Sequence, residues 1–94
     1  MTTTTPIAPT KKGARIWLQG VSAQPTLKHS RYTMEFTEDC IRLYFMPDGK
    51  RGVTQSKGGV IDLESKKVLQ WAKGATVAHV VYGPDVIHIT KSQA

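Results

Sequence analysis

The sequence predicts a mainly β protein with one short helix, a strand-rich α+β fold in which two similar halves form a small barrel or sandwich. Apolar and polar residues alternate over several short segments, which is the period of strands with one buried face. Clusters of Gly, Pro and Asp separate these segments, and a helical spacing of apolar residues occurs once. The alternating segments are 15–19, 32–36, 41–45, 76–82 and 86–90, and the helical one is 66–73.

Length, charge and cysteine usage restrict the class of protein. A chain of 94 residues with a formal net charge of +6 has room for one domain with a thin core. The single cysteine, Cys40, excludes an intramolecular disulfide and a multi-thiolate zinc site, and we expect it to be a small buried apolar residue in a reducing compartment. No segment has the apolar length of a membrane span or the pattern of a signal peptide. We therefore expect a cytoplasmic protein that does not bind membranes.

The first half of the chain begins with a segment that we expect to be flexible. Residues 1–13 contain four consecutive threonines and two prolines without an apolar period, which predicts an arm ahead of a single domain at 14–94. The strand at 15–19 is followed by an irregular stretch in which Pro25 opposes a helix. A polar connection at 37–40 then joins two strands into an antiparallel hairpin.

The second half follows a basic, glycine-rich connector at 47–59. Residues 60–63 predict a strand, after which Ser65 is placed to cap a helix over 66–73 and Gly74 to end it in a left-handed conformation. The helix residues expected to face the core are Val68, Leu69 and Ala72. A helix of about two turns depends on tertiary packing for its stability.

The two halves have similar patterns. The final hairpin, which turns at 83–85, ends in Ile-x-Ile as the first ends in Ile-x-Leu, and corresponding positions are 45 or 46 residues apart. This spacing predicts a pseudo-repeat of 14–46 and 58–91 with a pseudo-twofold relation. If the halves superpose, one chain can act alone; if they do not, pairing of edge strands is expected to give a homodimer.

Two segments resemble a known family. Residues 15–20, Arg-Ile-Trp-Leu-Gln-Gly, resemble the opening strand of SymE-like proteins, which belong to the AbrB-like swapped-hairpin group. Residues 49–54, Gly-Lys-Arg-Gly-Val-Thr, are similar to a connector in small proteins of mobile elements, some of them associated with DNA methyltransferases. The resemblance covers 14–91 and departs from the family at 21–30, where Pro25 breaks the family's helix. It implies an AbrB-like barrel, a phage or plasmid origin, and either nucleic-acid binding or toxicity directed at RNA.

Patterns of catalytic or cofactor-binding residues are absent from the sequence. It lacks a nucleophile elbow, a phosphate-binding glycine loop and a dinucleotide fingerprint, and its histidines have no metal-ligand spacing. His79 and His88 are expected on neighbouring strands, as a cross-strand pair or as two solvent-facing polar residues. Glu35, Glu38 and Asp39 predict a solvated hairpin more strongly than a divalent-ion site. We expect no enzyme, no metal and no cofactor, while a metal-independent ribonuclease that uses His with Lys or Arg stays open.

Basic residues supply the candidate binding site. They form clusters that acidic residues do not dilute, because the acidic residues gather at 35–39 and 62–64. Segments of one charge sign suit phosphate groups, and a solvated surface is the alternative interpretation. The candidate nucleic-acid contacts are Lys11, Lys12, Arg15, Lys50, Arg51 and Lys57.

The phase of the aromatic residues bears on the type of partner. Exposed rings stack on the bases of single strands or contact a protein. The set expected in the core is Trp17, Tyr32, Phe36 and Phe45, and the set expected at the surface is Tyr44, Trp71 and Tyr82.

The leading hypothesis is therefore a small basic protein that binds DNA or RNA. The alternative is a module that binds another protein through a free strand edge, such as a phage- or plasmid-encoded inhibitor of a host nuclease or defence complex, or a methyltransferase accessory. An RNA-targeting toxin is the third hypothesis, and it rests on the family resemblance alone.

Overall fold

A computed structural model describes residues 2–93 of the chain. Within these residues the structure has eight strands and one α-helix, which confirms the predicted class of a mainly β protein with one short helix. The strands are β1 (Thr2–Thr10), β2 (Gly13–Gln19), β3 (Arg31–Phe36), β4 (Ile41–Phe45), β5 (Arg51–Gly52), β6 (Val60–Ser65), β7 (Val77–Gly83) and β8 (Val86–Ser92), and the helix is α1 (Lys66–Ala72). A short 3-10 turn, Val21–Ala23, occupies the irregular stretch after β2.

The strands form one antiparallel sheet in the order β5-β3-β4-β8-β7-β1-β2-β6. The sheet curls so that its two ends approach each other. Thr54, just after β5, forms a bridge with Val60 of β6, and the two N–H···O=C distances are 2.8 and 2.9 Å. The molecule is thus an incomplete barrel, closed at one end of the seam between β5 and β6.

Alternating side chains fill the interior of the barrel. On β2, Ile16 and Leu18 are buried whereas Trp17 and Gln19 are exposed, as a strand with one face on a core requires. The fully buried side chains come from both halves and are mostly branched aliphatic residues. They include Ile16, Ile41, Leu43, Ile61, Leu63, Val68, Val80, Ile87 and Ile89.

The segment expected to be a flexible arm lies inside the sheet instead. Residues Thr2–Pro6 pair with β7 and residues Ile7–Thr10 pair with β2, so β1 has neighbours on both sides. Threonine is β-branched and suits a strand, and Ile7 is buried in the core. The expectation was wrong because the partners that order β1 lie far away in the sequence, where an apolar period within the segment does not report them.

The helix forms where expected, but it packs differently. The Ser65 side chain accepts a hydrogen bond from the N–H of Val68 at 3.2 Å, and the left-handed end begins at Lys73, one residue before Gly74. Leu69, expected to face the core, is 49% exposed. The helix is only seven residues long and buries Val68, Trp71 and Ala72, and Leu69 falls outside this stripe.

Aromatic residues divide between core and surface in a way that the sequence predicts only in part. Tyr32 and Phe45 are buried with ring centres 5.4 Å apart, and Tyr44 is exposed, all as expected. Trp71 and Tyr82, expected at the surface, are buried. Trp71 points into the core from the short helix, and Lys91 covers its ring at 4.6 Å. Cys40 is buried, as predicted.

Strand pairing relates the two halves of the chain. Trp17 of β2 lies opposite Asp62 of β6, and Arg42 of β4 lies opposite His88 of β8. Asp62 is the residue 45 places after Trp17, and His88 is the residue 46 places after Arg42. In each pair, therefore, a residue of the first half lies opposite its own equivalent in the second half. The pairing therefore follows a pseudo-twofold pattern whose axis passes through these two positions.

The same pattern includes the strands that precede each half. The N–H of Ile7 donates to the carbonyl oxygen of Thr76 at 2.9 Å, and the N–H of Val53 donates to that of Ser30 at 2.9 Å. These two hydrogen bonds are related by the 46-residue shift. The repeated unit thus contains β1 in the first half and, in the second, residues 50–54, which include β5 and which we call the β5 segment. It starts earlier than the predicted boundaries at 14 and 58.

Candidate nucleic-acid interface

Trp17 lies on the outer face of β2 between two cations. Its side chain is 36% exposed, although the sequence placed it in the core. The Arg15 guanidinium carbon and the Lys57 ammonium nitrogen each lie 5.7 Å from the ring centre. The indole N–H donates to Gln19 Oε1 at 3.2 Å, which orients the ring. An aromatic surface with adjacent positive charge results.

Arg15 is held in place by two carboxylates of β6. Its Nε lies 3.0 Å from Asp62 Oδ1, and its Nη2 lies 3.2 Å from Glu64 Oε1. The hydrogen bond with Asp62 raises the pKa of Arg15 above its ordinary value, and the negative charges of both carboxylates act in the same direction. The two carboxylates therefore balance the charge of Arg15 and fix its guanidinium beside Trp17.

Lys11 and Lys12 form the exposed turn that leads into β2. Gly13, at the end of that turn, has a φ of 135° and packs so closely that a Cβ would clash with the carbonyl oxygen of Ser65. The close approach places the turn next to Lys66, the first residue of α1.

Lys57 reaches Trp17 from the other half of the chain. Its loop is fixed to the end of β2 because Ser22 N–H donates to the carbonyl oxygen of Gly58 at 2.9 Å, and Val21 N–H to that of Gly59 at 3.1 Å. Lysines therefore stand at both ends of β2, with Trp17 between them. We call this surface, formed by Lys11, Lys12, Arg15, Trp17 and Lys57, the β2 track.

The remaining two predicted contacts, Lys50 and Arg51, lie elsewhere. They belong to the β5 segment, which pairs with the start of β3. Arg51 extends along the edge of β3 and reaches within 3.9 Å of Met34 Sδ. The structure thus separates the six predicted basic residues into four along β2 and two beside β3.

Sequence reasoning missed Trp17 as a site residue, although a signal for it exists. In the alternation of β2, Trp17 shares its phase with Arg15 and Gln19, and the opposite phase is the aliphatic one. Phase within the strand places the ring outside, and the general preference of tryptophan for burial misled the prediction.

The histidines and carboxylates weighed as catalytic or metal-binding groups have other partners. His79 Nε2 lies 2.6 Å from Ser92 Oγ, and His88 lies opposite Val81, so the two histidines do not form a direct cross-strand pair. The carboxylate of Glu35 pairs with Arg42 at 3.0 Å and that of Glu38 with Lys73 at 3.7 Å. Among residues 2–93, no group of three or more His, Cys, Asp and Glu side chains is arranged to hold a metal ion.

Comparison of the chain with protein-family models, with curated proteins and with solved structures finds no match. Within the described part of the chain, α1 is the sole α-helix, and it has neither the length nor the apolar character to span a membrane.

Proposed function

We propose that the protein binds single-stranded nucleic acid along the β2 track. The observation that carries the proposal is the exposed Trp17 ring with a cation from each half of the chain beside it. Stacking of a base on an aromatic ring and pairing of phosphates with lysines are the two interactions that sequence-tolerant single-strand binders combine. The resemblance of residues 15–20 to SymE-like proteins favours the same class of partner.

The dimensions of the track suit a short single strand. The seven residues of β2 span roughly 20 Å at about 3.3 Å per residue. Lys11 and Lys12 stand at one end and Lys57 at the other, so phosphates on both sides of a base stacked on Trp17 meet a positive charge. A duplex fits less well, because its bases are stacked on each other and do not expose a face to Trp17.

Charge and stacking give separate experimental signatures. We expect a labelled deoxythymidine or uridine oligonucleotide of about 12 residues to bind in low salt, near 50 mM, and to weaken as salt rises. Neutralisation of about three phosphates, by Lys11, Lys12 and Lys57, gives a slope of log affinity against log salt of about −2. Fluorescence anisotropy of the oligonucleotide measures both quantities.

Substitutions test whether the track is the binding surface. Trp17→Ala is expected to cost about 1–3 kcal/mol of binding free energy, the range for one stacked base. Lys57→Gln is expected to make the salt slope about 0.7 less negative, which is the contribution of one phosphate of a single strand. The matched controls are Tyr44→Ala, another exposed aromatic residue on a strand four places away in the sheet, and Lys28→Gln, and both should bind as the unmodified protein does.

Three outcomes would contradict the proposal. They are an absence of binding at low salt, an affinity that does not depend on salt, and equal losses in Trp17→Ala and Tyr44→Ala. Because both rings are exposed, neither substitution is expected to unfold the protein, and circular dichroism checks this.

A further inference from the structure

Among residues 2–93, no strand lies along the edge of β3 beyond its first two residues. β5 pairs only with Arg31 and Tyr32, and β4 occupies the other side of β3. Across the seam of the barrel, β6 pairs with β2 on one side and reaches the β5 segment only through the bridge from Val60. Two strand edges therefore face each other across a slot, which we call the β3 slot.

Backbone groups of Met34 and Phe36 point into the β3 slot. In an antiparallel ladder, successive residues direct their N–H and C=O groups to alternate sides. The carbonyl oxygen of Ser30 accepts from Val53 on the β5 side, and that of Arg31 accepts from Met46 on the β4 side. Continued along β3, this alternation aims the backbone groups of Met34 and Phe36 away from β4 and toward the slot.

In the other half of the barrel, a strand occupies the position related to the β3 slot. Related by the 46-residue shift, β7 corresponds to β3, and β1 pairs with β7 over five positions, from Thr2 to Pro6. The β5 segment pairs with β3 over two positions. The chain before Arg51 turns at 46–49, where the N–H of Gly49 donates to the carbonyl oxygen of Met46 at 3.2 Å. In the described part of the chain, an antiparallel strand thus occupies this position beside β7, and none occupies the related position beside Met34 and Phe36 of β3.

The walls of the β3 slot define the chemistry of its occupant. A cleft of about 290 Å³ lies there, at the small end of ligand-binding clefts. Met34, Phe36, Leu63 and Val68 supply apolar surface. The charged residues of the wall are Arg51, Glu64 and Lys67.

The two cations of the wall differ from its carboxylate in their ion pairing. Glu64 is already paired with Arg15 at 3.2 Å. Among the described residues, Arg51 and Lys67 form no ion pair, and Lys67 lies over the Phe36 ring at 4.6 Å. The slot therefore combines free backbone groups, an apolar floor and unpaired positive charge.

We propose that the β3 slot binds an extended acidic peptide segment of a partner protein, which adds to the edge of β3 as an antiparallel strand. Backbone hydrogen bonds to Met34 and Phe36 hold the segment, and its carboxylates pair with Arg51 and Lys67. The interaction completes the barrel in the second half as β1 does in the first. It is independent of nucleic-acid binding, because it uses none of the residues of the β2 track.

A second copy of this chain is a poorer occupant. Pairing of two β3 edges would bring Arg51 and Lys67 of each copy toward those of the other, and like charges repel. The strand that fills the related position, Thr2–Pro6, carries no acidic residue and is already paired in its own half. The charge of the slot therefore favours an acidic segment from another protein.

The test uses the full chain and a defined probe, the blocked hexapeptide Thr-Glu-Val-Glu-Thr-Val with a fluorescent label. We expect saturable binding by anisotropy, and protection from hydrogen exchange at the amides of Met34 and Phe36. The amides of Thr33 and Glu35 face β4 and should change little. A peptide with lysine in place of glutamate is expected to bind at least about tenfold more weakly.

Reversing the charge of Arg51 and Lys67 tests whether these side chains contribute to peptide affinity, and it leaves the backbone of β3 unaltered. The double variant Arg51→Glu, Lys67→Glu should lose about tenfold in affinity for the acidic peptide and gain affinity for the lysine peptide. Trp17→Ala and Lys57→Gln are the matched controls and should leave peptide binding unchanged. Since they abolish or weaken oligonucleotide binding if the β2 track is correct, the two proposals can fail separately.

Several results would overturn the proposal. One is an absence of peptide binding, and another is equal binding of the acidic and lysine peptides. A third is protection of Met34 and Phe36 by the oligonucleotide. A fourth is protection of these amides without peptide, together with a dimeric mass in sedimentation, which would show that a second copy fills the slot.

Discussion

The two halves of the barrel follow one plan but differ in the strand that begins each of them. In the first half, β1 is nine residues long and bridges β7 and β2. In the second half, β5 is two residues long, and only the Thr54 bridge extends it toward β6. The same arrangement is thus complete on one side of the molecule and open on the other.

Chain connectivity explains this difference. β5 follows β4 closely, and the chain must reverse at 46–49 before it can pair with β3. Arg31 fixes this turn by donating from Nε to the carbonyl oxygen of Gly49 at 2.7 Å. A Cβ at Gly49 would clash with the backbone of Tyr32, so the turn is packed against β3 and pairing starts only at Arg51. A repeated sequence plan therefore yields unequal edges, and the open edge is where a partner strand has room.

Removal of the first strand is expected to have the largest effect. Deletion of residues 2–6 removes five paired positions from the sheet and exposes the edge of β7. We expect the loss of most of the folding stability, which for domains in general is about 5–15 kcal/mol. Circular dichroism and thermal unfolding measure it. If the segment were a flexible arm, the deletion would leave the melting temperature unchanged.

A substitution that keeps the length of β1 serves as the control for this deletion. The side chain of Thr3 is exposed, and Thr3 pairs through its backbone with Val80. Thr3→Ala should therefore cost less than about 1 kcal/mol, the span of strand propensities. A large loss in this variant would mean that side chains, and not strand pairing, stabilise β1.

Truncation of one core side chain in each half is expected to have a smaller effect on the free energy of unfolding than the deletion of β1. Ile7 and Val53 are 7% and 9% exposed and occupy corresponding places in the two halves. Ile7→Ala should destabilise the fold by about 2–5 kcal/mol. Val53→Ala removes two methyl groups, one carbon fewer than Ile7→Ala removes, and should cost about 1.6 kcal/mol at roughly 0.8 kcal/mol per buried carbon. Denaturant unfolding of both variants gives the two values. A larger cost at Val53 would show that the open half is the more tightly constrained one.

Each half also contains a buried tyrosine whose ionisation distinguishes the open side from the closed one. Burial raises the pKa of Tyr32 and of Tyr82 above the ordinary value of 10.0. At Tyr32, beside the slot, the charge of Arg51 opposes this rise. Arg51→Gln is therefore expected to raise the pKa of Tyr32 further and to leave that of Tyr82 unchanged. This effect is expected to be smaller than those of the 2–6 deletion and of the core substitutions. NMR titration of the tyrosine ring signals measures it.

The sign of the pH dependence follows from the raised pKa values. Above pH 10 the unfolded chain releases its phenolic protons while the folded protein still holds those of Tyr32 and Tyr82. The folded state then binds more protons than the unfolded state, so stability falls as pH rises. Tyr82→Phe should make this alkaline decline in stability shallower, because it removes one of the two groups whose pKa burial raises. An alkaline decline in Tyr82→Phe equal to that of the unmodified protein would contradict the role of burial.

Much of the fold is predictable because local signals agree with it. The hairpin at 37–40, the Ser65 cap and the turn between β7 and β8 arise from residues close in sequence, and each forms where expected. The candidate site is predictable only in part. Lys11, Lys12 and Lys57 are exposed, but the pairing of Arg15 with Asp62 and the position of Lys57 over Trp17 join residues 40 or more apart. No local pattern reports such contacts.

The class of fold, the positions of most strands and of the helix, and the excess of positive charge are predictable from the amino-acid sequence alone. These properties depend on the alternation of side chains and on turn and cap residues, which act over a few neighbours. Long-range strand pairing, by contrast, makes residues 2–10 a strand, leaves Trp17 on the outside, and separates the basic residues between the β2 track and the edge of β3. Those outcomes depend on which distant strands become neighbours, because a backbone edge or a charge acquires its partner only when the sheet has curled.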